Sequence, residues 1–79
     1  YPNPFNPKTK IRFTSPNYSN VTIKIFDVLG NEVCTLFNSE KPPGEYEVEF
    51  NGKELTSGIY FYRLTAGKYT ETKKIILLK

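Results

Sequence analysis

The chain of 79 residues contains no histidine, no tryptophan and no methionine, and its single cysteine is Cys34. Without histidine the commonest general base of enzymes is missing, so none is available to activate Cys34, Ser15 or Ser57 as a nucleophile. One cysteine cannot form a disulfide within the chain, so a domain this small must be held together by its hydrophobic core. We therefore predict a protein that is not an enzyme, has no cofactor or metal site, and uses Cys34 only for packing.

Alanine is also scarce, since Ala66 is the only one, and glycine or proline interrupts nearly every window long enough to form a helix. No apolar run has the length of a transmembrane helix, which argues against direct insertion into a membrane. The net charge of +3 is too small to indicate a nucleic-acid-binding protein. Because the chain starts at Tyr1 and has no methionine, we expect it to be a piece of a longer protein.

Most of the remaining sequence alternates between apolar and polar residues, which is the pattern of half-buried β-strands. Breakers separate the alternating segments, and they predict a turn at Gly30-Asn31, a loop over residues 38–44 and further turns at "NG" and "TAGK". The predicted strands cover residues 10–14, 21–27, 32–37, 45–50, 59–64 and 69–78. The side chains predicted to face the core are those of Ile11, Phe13, Val21, Ile23, Ile25, Tyr46, Val48 and Phe50.

The strand "IYFYRL", residues 59–64, carries bulky side chains on both faces, as expected for a strand in the centre of a sheet. Strands recur at spacings of about a dozen residues, and short turns connect most of them. There are six strands, or seven if part of residues 1–7 also pairs. This pattern predicts an all-β fold, an Ig-like antiparallel β-sandwich with Greek-key crossings.

The first seven residues, "YPNPFNP", hold three of the chain's six prolines. Each proline lacks a backbone N–H and forces the residue before it into an extended conformation, so this stretch cannot start a helix or lie inside a sheet. We therefore divide the chain into a proline-rich linker, residues 1–7, and a β-sandwich domain, residues 8–79.

Three glutamates of "EYEVEF" form the densest group of carboxylates in the sequence. Glu45, Glu47 and Glu49 share one face of a strand, but neighbours on such a face lie about 7 Å apart, too far for one strand to enclose a cation. We expect instead a solvated face on which these carboxylates pair across the sheet with lysines such as Lys24 or Lys10.

Exposed tyrosines can stack on sugars, and Tyr60 and Tyr62 are candidates for such a role. Tryptophan, the strongest sugar platform, is absent, and both tyrosines fall in the strand predicted to be central. Core packing is therefore the main prediction for them, and carbohydrate binding is the alternative.

The last predicted strand differs from the others because "IILL" is apolar on both faces and is flanked by lysines. One face can pack on the core, whereas exposing the other forfeits about 1.5–3 kcal/mol for each large aliphatic side chain. Either the opposite sheet or the proline-rich linker covers that second face, or the face stays partly available to a partner that adds a strand or offers a groove. An exposed edge would also permit a dimer through this strand. The predicted recognition residues are Lys73, Lys74, Ile75, Ile76, Leu77, Leu78 and Lys79.

Four segments together resemble the type A C-terminal sorting domain of the type IX (Por) secretion system, a module of exported proteins of Bacteroidetes and their relatives. They are "YPNPFNPKTKIRF", "VTIKIFDVLGNEV", "PPGEYEVEFNGKELTSGIYFYRL" and "KKIILLK". The sequence departs from the family at Phe50, where a tryptophan is usual, and at Ser15, which is often apolar. It is also similar to the Ig-like domain of the flagellar hook-capping protein family, which keeps a purely structural role open.

The resemblance implies a delivery signal without cofactor. A cargo domain on its N-terminal side crosses the inner membrane, folds in the periplasm and leaves through the outer-membrane machinery of type IX secretion. A sortase-like protease then removes the signal near its start, and the cargo is released or attached to the cell surface of the Gram-negative bacterium. The alternative is a structural or carbohydrate-binding Ig-like module of an extracellular enzyme or adhesin.

The resemblance also marks positions in this sequence. Those outside the terminal strand are Pro2, Asn3, Pro4, Gly58, Tyr60 and Gly67. Gly58 and Gly67 are expected to serve backbone geometry, and Tyr60 is expected to be a core residue. Only the terminal strand and its lysines are expected to contact the secretion machinery directly.

Overall fold

The computed structural model describes residues 8–78, and these form six β-strands in two antiparallel sheets. The strands are β1 (Lys8–Ser15), β2 (Ser19–Phe26), β3 (Glu32–Lys41), β4 (Gly44–Asn51), β5 (Gly58–Ala66) and β6 (Tyr69–Leu77). Strand β1 pairs with β4, and the larger sheet has the order β3-β2-β5-β6. The predicted all-β antiparallel sandwich is confirmed. The seventh strand and the linker predicted for residues 1–7 lie outside the described residues, which contain no helix that could span a membrane.

The core lies between the two sheets and is built from one side of each strand. Strand β2 forms its centre, where Val21, Ile23 and Ile25 have no exposed surface. Each such side chain contributes about 1.5–3 kcal/mol through removal of apolar surface from water. All residues predicted to face the core do so, although Tyr46 and Val48 on β4 are only partly buried. We call the face of the larger sheet that points to β1 and β4 the inner face, and the opposite one the outer face.

Strand β3 is longer than predicted, because its polar second half continues the ladder with β2. Ser39 pairs with Val21, and Lys41 pairs with Ser19, so the predicted loop over residues 38–44 shrinks to Pro42 and Pro43. The polar composition of this half suggested a loop, but β3 is an edge strand, where polar side chains are exposed without penalty. Long-range pairing therefore outweighs the low strand propensity of these residues.

The turn between β2 and β3 lies earlier than predicted, around Val28 and Leu29 rather than at Gly30-Asn31. The Gly30 backbone N–H donates to the Asp27 carbonyl at 3.0 Å, and Gly30 adopts a φ of 87°. The Asp27 carboxylate accepts hydrogen bonds from the backbone N–H groups of Leu29 and Asn31, both at 2.9 Å. The side chain of Asp27 therefore fixes the turn, a role that such residues often take.

Strand β5 lies between β2 and β6, as predicted for a central strand. Its two faces differ, however: Tyr60, Tyr62 and Leu64 are buried, whereas Ile59 on the other face is 43% exposed. Bulky side chains on both faces of β5 therefore do not mean that both faces are covered: among the described residues, the smaller sheet covers the inner face only. Bulky outer residues on β5 are therefore part of a surface.

The end of β4 approaches the end of β6 so closely that only glycine fits between them. A Cβ atom placed on Gly52 would lie 2.6 Å from Cδ1 of Leu77, which is itself 2% exposed. We expect Gly52→Ala to destabilise the domain by about 1–3 kcal/mol, because an extra methyl group overpacks this part of the core. Urea denaturation followed by tyrosine fluorescence measures the change.

The background variant Leu77→Ala provides the control for this prediction. In Leu77→Ala the Cδ1 atom is absent, so the methyl group added by Gly52→Ala has room. We therefore expect Gly52→Ala to cost less stability in the Leu77→Ala background than in the unchanged chain, and a double-mutant cycle measures this difference. Equal losses in both backgrounds would contradict the proposed contact.

Candidate functional site

The terminal strand β6 is an edge strand and pairs only with β5 among the described elements. In this ladder Ile75 pairs with Tyr60 and Ile76 pairs with Ile59. Ile75 and Leu77 point inward and are 8% and 2% exposed, whereas Ile76 and Leu78 are 59% and 67% exposed. The apolar end of the chain thus serves two purposes, since alternate residues complete the core and the remaining ones form surface.

The second apolar face of the terminal strand, with Ile76 and Leu78, is exposed in the structure. The opposite sheet covers Ile75 and Leu77 but not the second face, so the first alternative is wrong as far as the opposite sheet is concerned. The exposed side of Ile76 and Leu78 is what the second alternative requires. Any cover by the proline-rich linker, and the position of Lys79, lie outside the described residues.

The neighbouring lysines of the terminal strand point to opposite faces. Lys73 shares the inner side with Ile75 and forms a 3.8 Å ion pair with Glu71. Lys74 lies on the outer face, where it pairs in register with Phe61. The predicted recognition residues are therefore not one continuous surface, because Ile75 and Leu77 are core and Lys73 belongs to a different face from Lys74.

The outer face also carries three apolar residues to which the sequence analysis assigned no role, namely Phe26, Ile59 and Phe61. Ile59 lies directly opposite Ile76, and Phe61 lies between Phe26 and Lys74 in the sheet register. We name this surface the outer patch and define it by Phe26, Ile59, Phe61, Ile76 and Leu78. The alternation of "IYFYRL" held the signal, since it places Ile59 and Phe61 together on the face opposite Tyr60 and Tyr62.

Basic side chains border the outer patch. The Arg63 guanidinium lies 4.9 Å from the centre of the Phe26 ring, a cation–π distance. Lys24 pairs in register with Arg63, and its ammonium group forms a 3.5 Å ion pair with Glu32. Because Glu32 balances the charge of Lys24, Arg63 and Lys74 are the residues that give the surroundings of the patch a positive charge.

The glutamate row of β4 forms a solvated charged face, as predicted. The Arg12 Nε–H donates to a Glu47 carboxylate oxygen at 2.8 Å, and Lys10 lies 3.8 Å from the other oxygen. Lys10 is therefore a partner of this row, but Lys24 is not, because it lies in the other sheet and pairs with Glu32. Within residues 8–78 no group of three ligating side chains is placed to hold a metal ion.

The other residues singled out in the sequence have structural roles. The buried Tyr60 hydroxyl donates to the Thr56 carbonyl at 2.8 Å, and buried Ser15 donates to the Asn17 carbonyl at 2.7 Å. Gly58 and Gly67 both have positive φ, at 152° and 63°, which agrees with the predicted backbone role. The positions Pro2, Asn3 and Pro4 lie outside the described residues.

Comparison with known proteins adds a second line of evidence to this geometry. A family model, the secretion system C-terminal sorting domain, matches residues 1–78. The chain belongs to this family. No match was found among curated proteins or among solved structures. As a member, the sorting domain is a signal for type IX secretion, which implies interaction with that machinery and transit to the outer membrane for secretion or surface display.

The hydrogen bond from Arg12 lowers the pKa of the exposed Glu47 carboxyl below its ordinary value. A lowered carboxyl pKa contributes stability above the pKa of the unfolded state, and this contribution is lost as pH falls through the folded-state pKa. We expect Arg12→Gln to raise the Glu47 pKa and to reduce stability at neutral pH but not in acid. Carboxyl carbon NMR titration measures the pKa, and Arg63→Gln in the other sheet is the control that leaves it unchanged. An unaltered Glu47 pKa in Arg12→Gln would disprove the pairing.

Burial, and then the charge of Glu32, raise the pKa of the Cys34 thiol. Because the thiolate is the reactive form, we expect iodoacetamide to alkylate folded Cys34 more slowly than the urea-unfolded chain at about pH 8, near the ordinary thiol pKa. Glu32→Gln is expected to speed the folded reaction, and Glu40→Gln on the same strand is the matched control. Faster alkylation in the folded protein would show that Cys34 is an activated thiol.

Proposed function

We propose that this chain is a folded delivery tag that takes a cargo domain, attached on its N-terminal side, through type IX secretion. The observation that supports this most directly is the two-sided terminal strand of a sorting-family member. Its inner residues complete the core, and Ile76 and Leu78 remain exposed at the edge of the sheet. Neighbouring apolar residues that are exposed reduce solubility, and such patches mark sites where a partner binds. We therefore assign Ile76 and Leu78 to contact with a partner.

In the proposed route, the cargo crosses the inner membrane and folds in the periplasm, where the secretion machinery recognises the tag. Residues 1–7 form the linker between cargo and tag, and residues 8–79 form the tag. Three prolines in seven residues disfavour helix and sheet pairing. A sortase-like protease needs an extended, unpaired backbone of this kind, so the cut falls near the linker and the cargo is then released or attached to the cell surface.

The tag works by shape and surface rather than by catalysis in this proposal. Family membership supports a non-catalytic role. The candidate nucleophile Cys34 has a raised pKa, and the serine hydroxyl of Ser15 is used inside the fold. The proposal therefore assigns no reaction and no cofactor to this domain.

The terminal strand can be tested by fusing the chain to the end of a secreted reporter in a bacterium that has type IX secretion. We expect deletion of residues 75–79 to leave the reporter in the periplasm, because both the inner and the outer residues of the strand end are lost. Cell fractionation and reporter activity in the medium measure export. Normal export of this truncated fusion would refute a tag at the terminal strand.

Two matched fusions separate recognition from folding. The first fusion carries Leu77→Ala, which lowers the free energy of unfolding by about 2–5 kcal/mol through a cavity but keeps the outer residues. It is assayed at a temperature at which the domain is still folded. A second fusion places a folded domain after Lys79. Export of the first and retention of the second are expected, whereas a structural or sugar-binding module predicts that neither change affects export.

A further inference from the structure

We propose that the outer patch as a whole, on three strands, is the surface that docks on the type IX machinery, and that its partner is an apolar protein surface bearing carboxylates. This inference rests on the proposed function and deepens it. It replaces a linear recognition segment at the chain end with a folded one. It adds Phe26, Ile59 and Phe61 to the recognition residues, and it removes Lys73, Ile75 and Leu77 from them.

The register of the sheet brings the patch together. Residues directly opposite one another in a ladder share a face, and so do residues two apart on one strand. Ile59 opposes Ile76, and Phe61 opposes Phe26 on one side and Lys74 on the other. Phe26, Ile59, Phe61 and Ile76 therefore form one continuous surface across β2, β5 and β6, and the exposed Leu78 follows at the end of β6.

The apolar character is confined to one end of the outer face. At the opposite end the same three strands present Thr22, Thr65 and Thr70, which pair with one another in the register. The next row contains Lys24, Arg63 and Thr72. Polar residues thus cover the rest of this face, as expected for a solvated sheet surface. The apolar rows are a bounded site rather than a general property of the face.

The charges around the patch specify the partner. Lys24 and the neighbouring acid Glu32 balance one another in an ion pair, so the positive charge comes from Arg63 and Lys74. The Asp27 carboxylate is occupied by the backbone N–H groups of its own turn. A surface that carries carboxylates opposite these cations gains complementary contacts, whereas a second copy of the same face brings like charges together.

A patch built on three strands exists only in the folded domain. A peptide of residues 69–79 contains Lys74, Ile76 and Leu78 but lacks the residues that β2 and β5 contribute. We therefore expect such a peptide, fused to the reporter in place of the whole chain, not to support export. This separates the proposal from recognition of the last strand alone.

The deciding experiment uses the reporter fusion with single changes on the two faces of the sheet. Ile59→Ser alters the outer patch and Lys74→Glu alters its basic border, whereas Tyr69→Ser and Lys73→Glu alter exposed residues on the inner side of β6. We expect at least about a tenfold loss of export for the first pair, which corresponds to ~1.4 kcal/mol of docking free energy. The second pair is expected to export like the unchanged chain.

Thermal melting of each purified domain verifies that it is folded. Ile59 is 43% exposed and Lys74 is also on the surface, so we expect both variants to remain folded. Failure of the unchanged chain to export the reporter would contradict the proposed function itself. Normal export by Ile59→Ser and Lys74→Glu, with export by the unchanged chain, would overturn only the outer patch. Equal losses in Lys73→Glu and Lys74→Glu would also overturn it.

Other occupants of the patch give different results. Binding of the domain to vesicles of phosphatidylglycerol, abolished by Ile59→Ser, would assign the patch to lipid and overturn the proposal. A dimer detected by sedimentation that Ile59→Ser dissociates would assign it to a second copy. Improved vesicle binding or dimerisation after removal of residues 1–7 would instead assign the patch to the linker.

Discussion

The alternation of side chains along β6 is the constraint on which the rest of this domain depends. A strand at the edge of a sheet has one face for the core and one for its surroundings, and here both are apolar at the same end. The inner residue Leu77 packs so closely against the turn after β4 that Gly52 cannot carry a side chain without displacing it. The exposure of Ile76 and the packing of the core are therefore coupled, because the strand that presents Ile76 is held in place by its buried neighbours.

In this chain of 79 residues, a two-stranded sheet packs on one face of a four-stranded sheet. Domains of this size bury a smaller fraction of their surface than larger ones, so a fully covered second face is beyond their reach. The outer face is accordingly a surface, and the core does not dictate its composition, because the inner-face residues Val21, Ile23 and Ile25 build the core. This division leaves room for a binding surface without a rearrangement of the core.

Features that depend only on the local alternation of apolar and polar residues were predicted correctly from the sequence. Ile11, Phe13 and Phe50 are buried as their spacing requires, and every predicted strand exists. Features that depend on distant partners were predicted poorly. The second half of β3 is a strand only because β2 lies beside it. Lys24 pairs with Glu32 rather than with the glutamates of β4, because Lys24 and β4 belong to different sheets. The exposure of Ile59 followed the same rule, since bulk on both faces of β5 says nothing about how many sheets cover them.

The topology also places the start of β1 and the outer patch at the same end of the domain. Lys8, the first described residue of β1, pairs with Asn51, and Gly52 next to it contacts Leu77 near the patch. A cargo attached directly at Lys8 would therefore lie beside the surface proposed to dock on the machinery. Seven residues of extended chain span up to about 25 Å, enough to separate two small folded bodies. In the proposed function, a proline-rich linker before Lys8 would therefore serve a purpose beside protease access, because it would keep the cargo away from the surface that the machinery must reach.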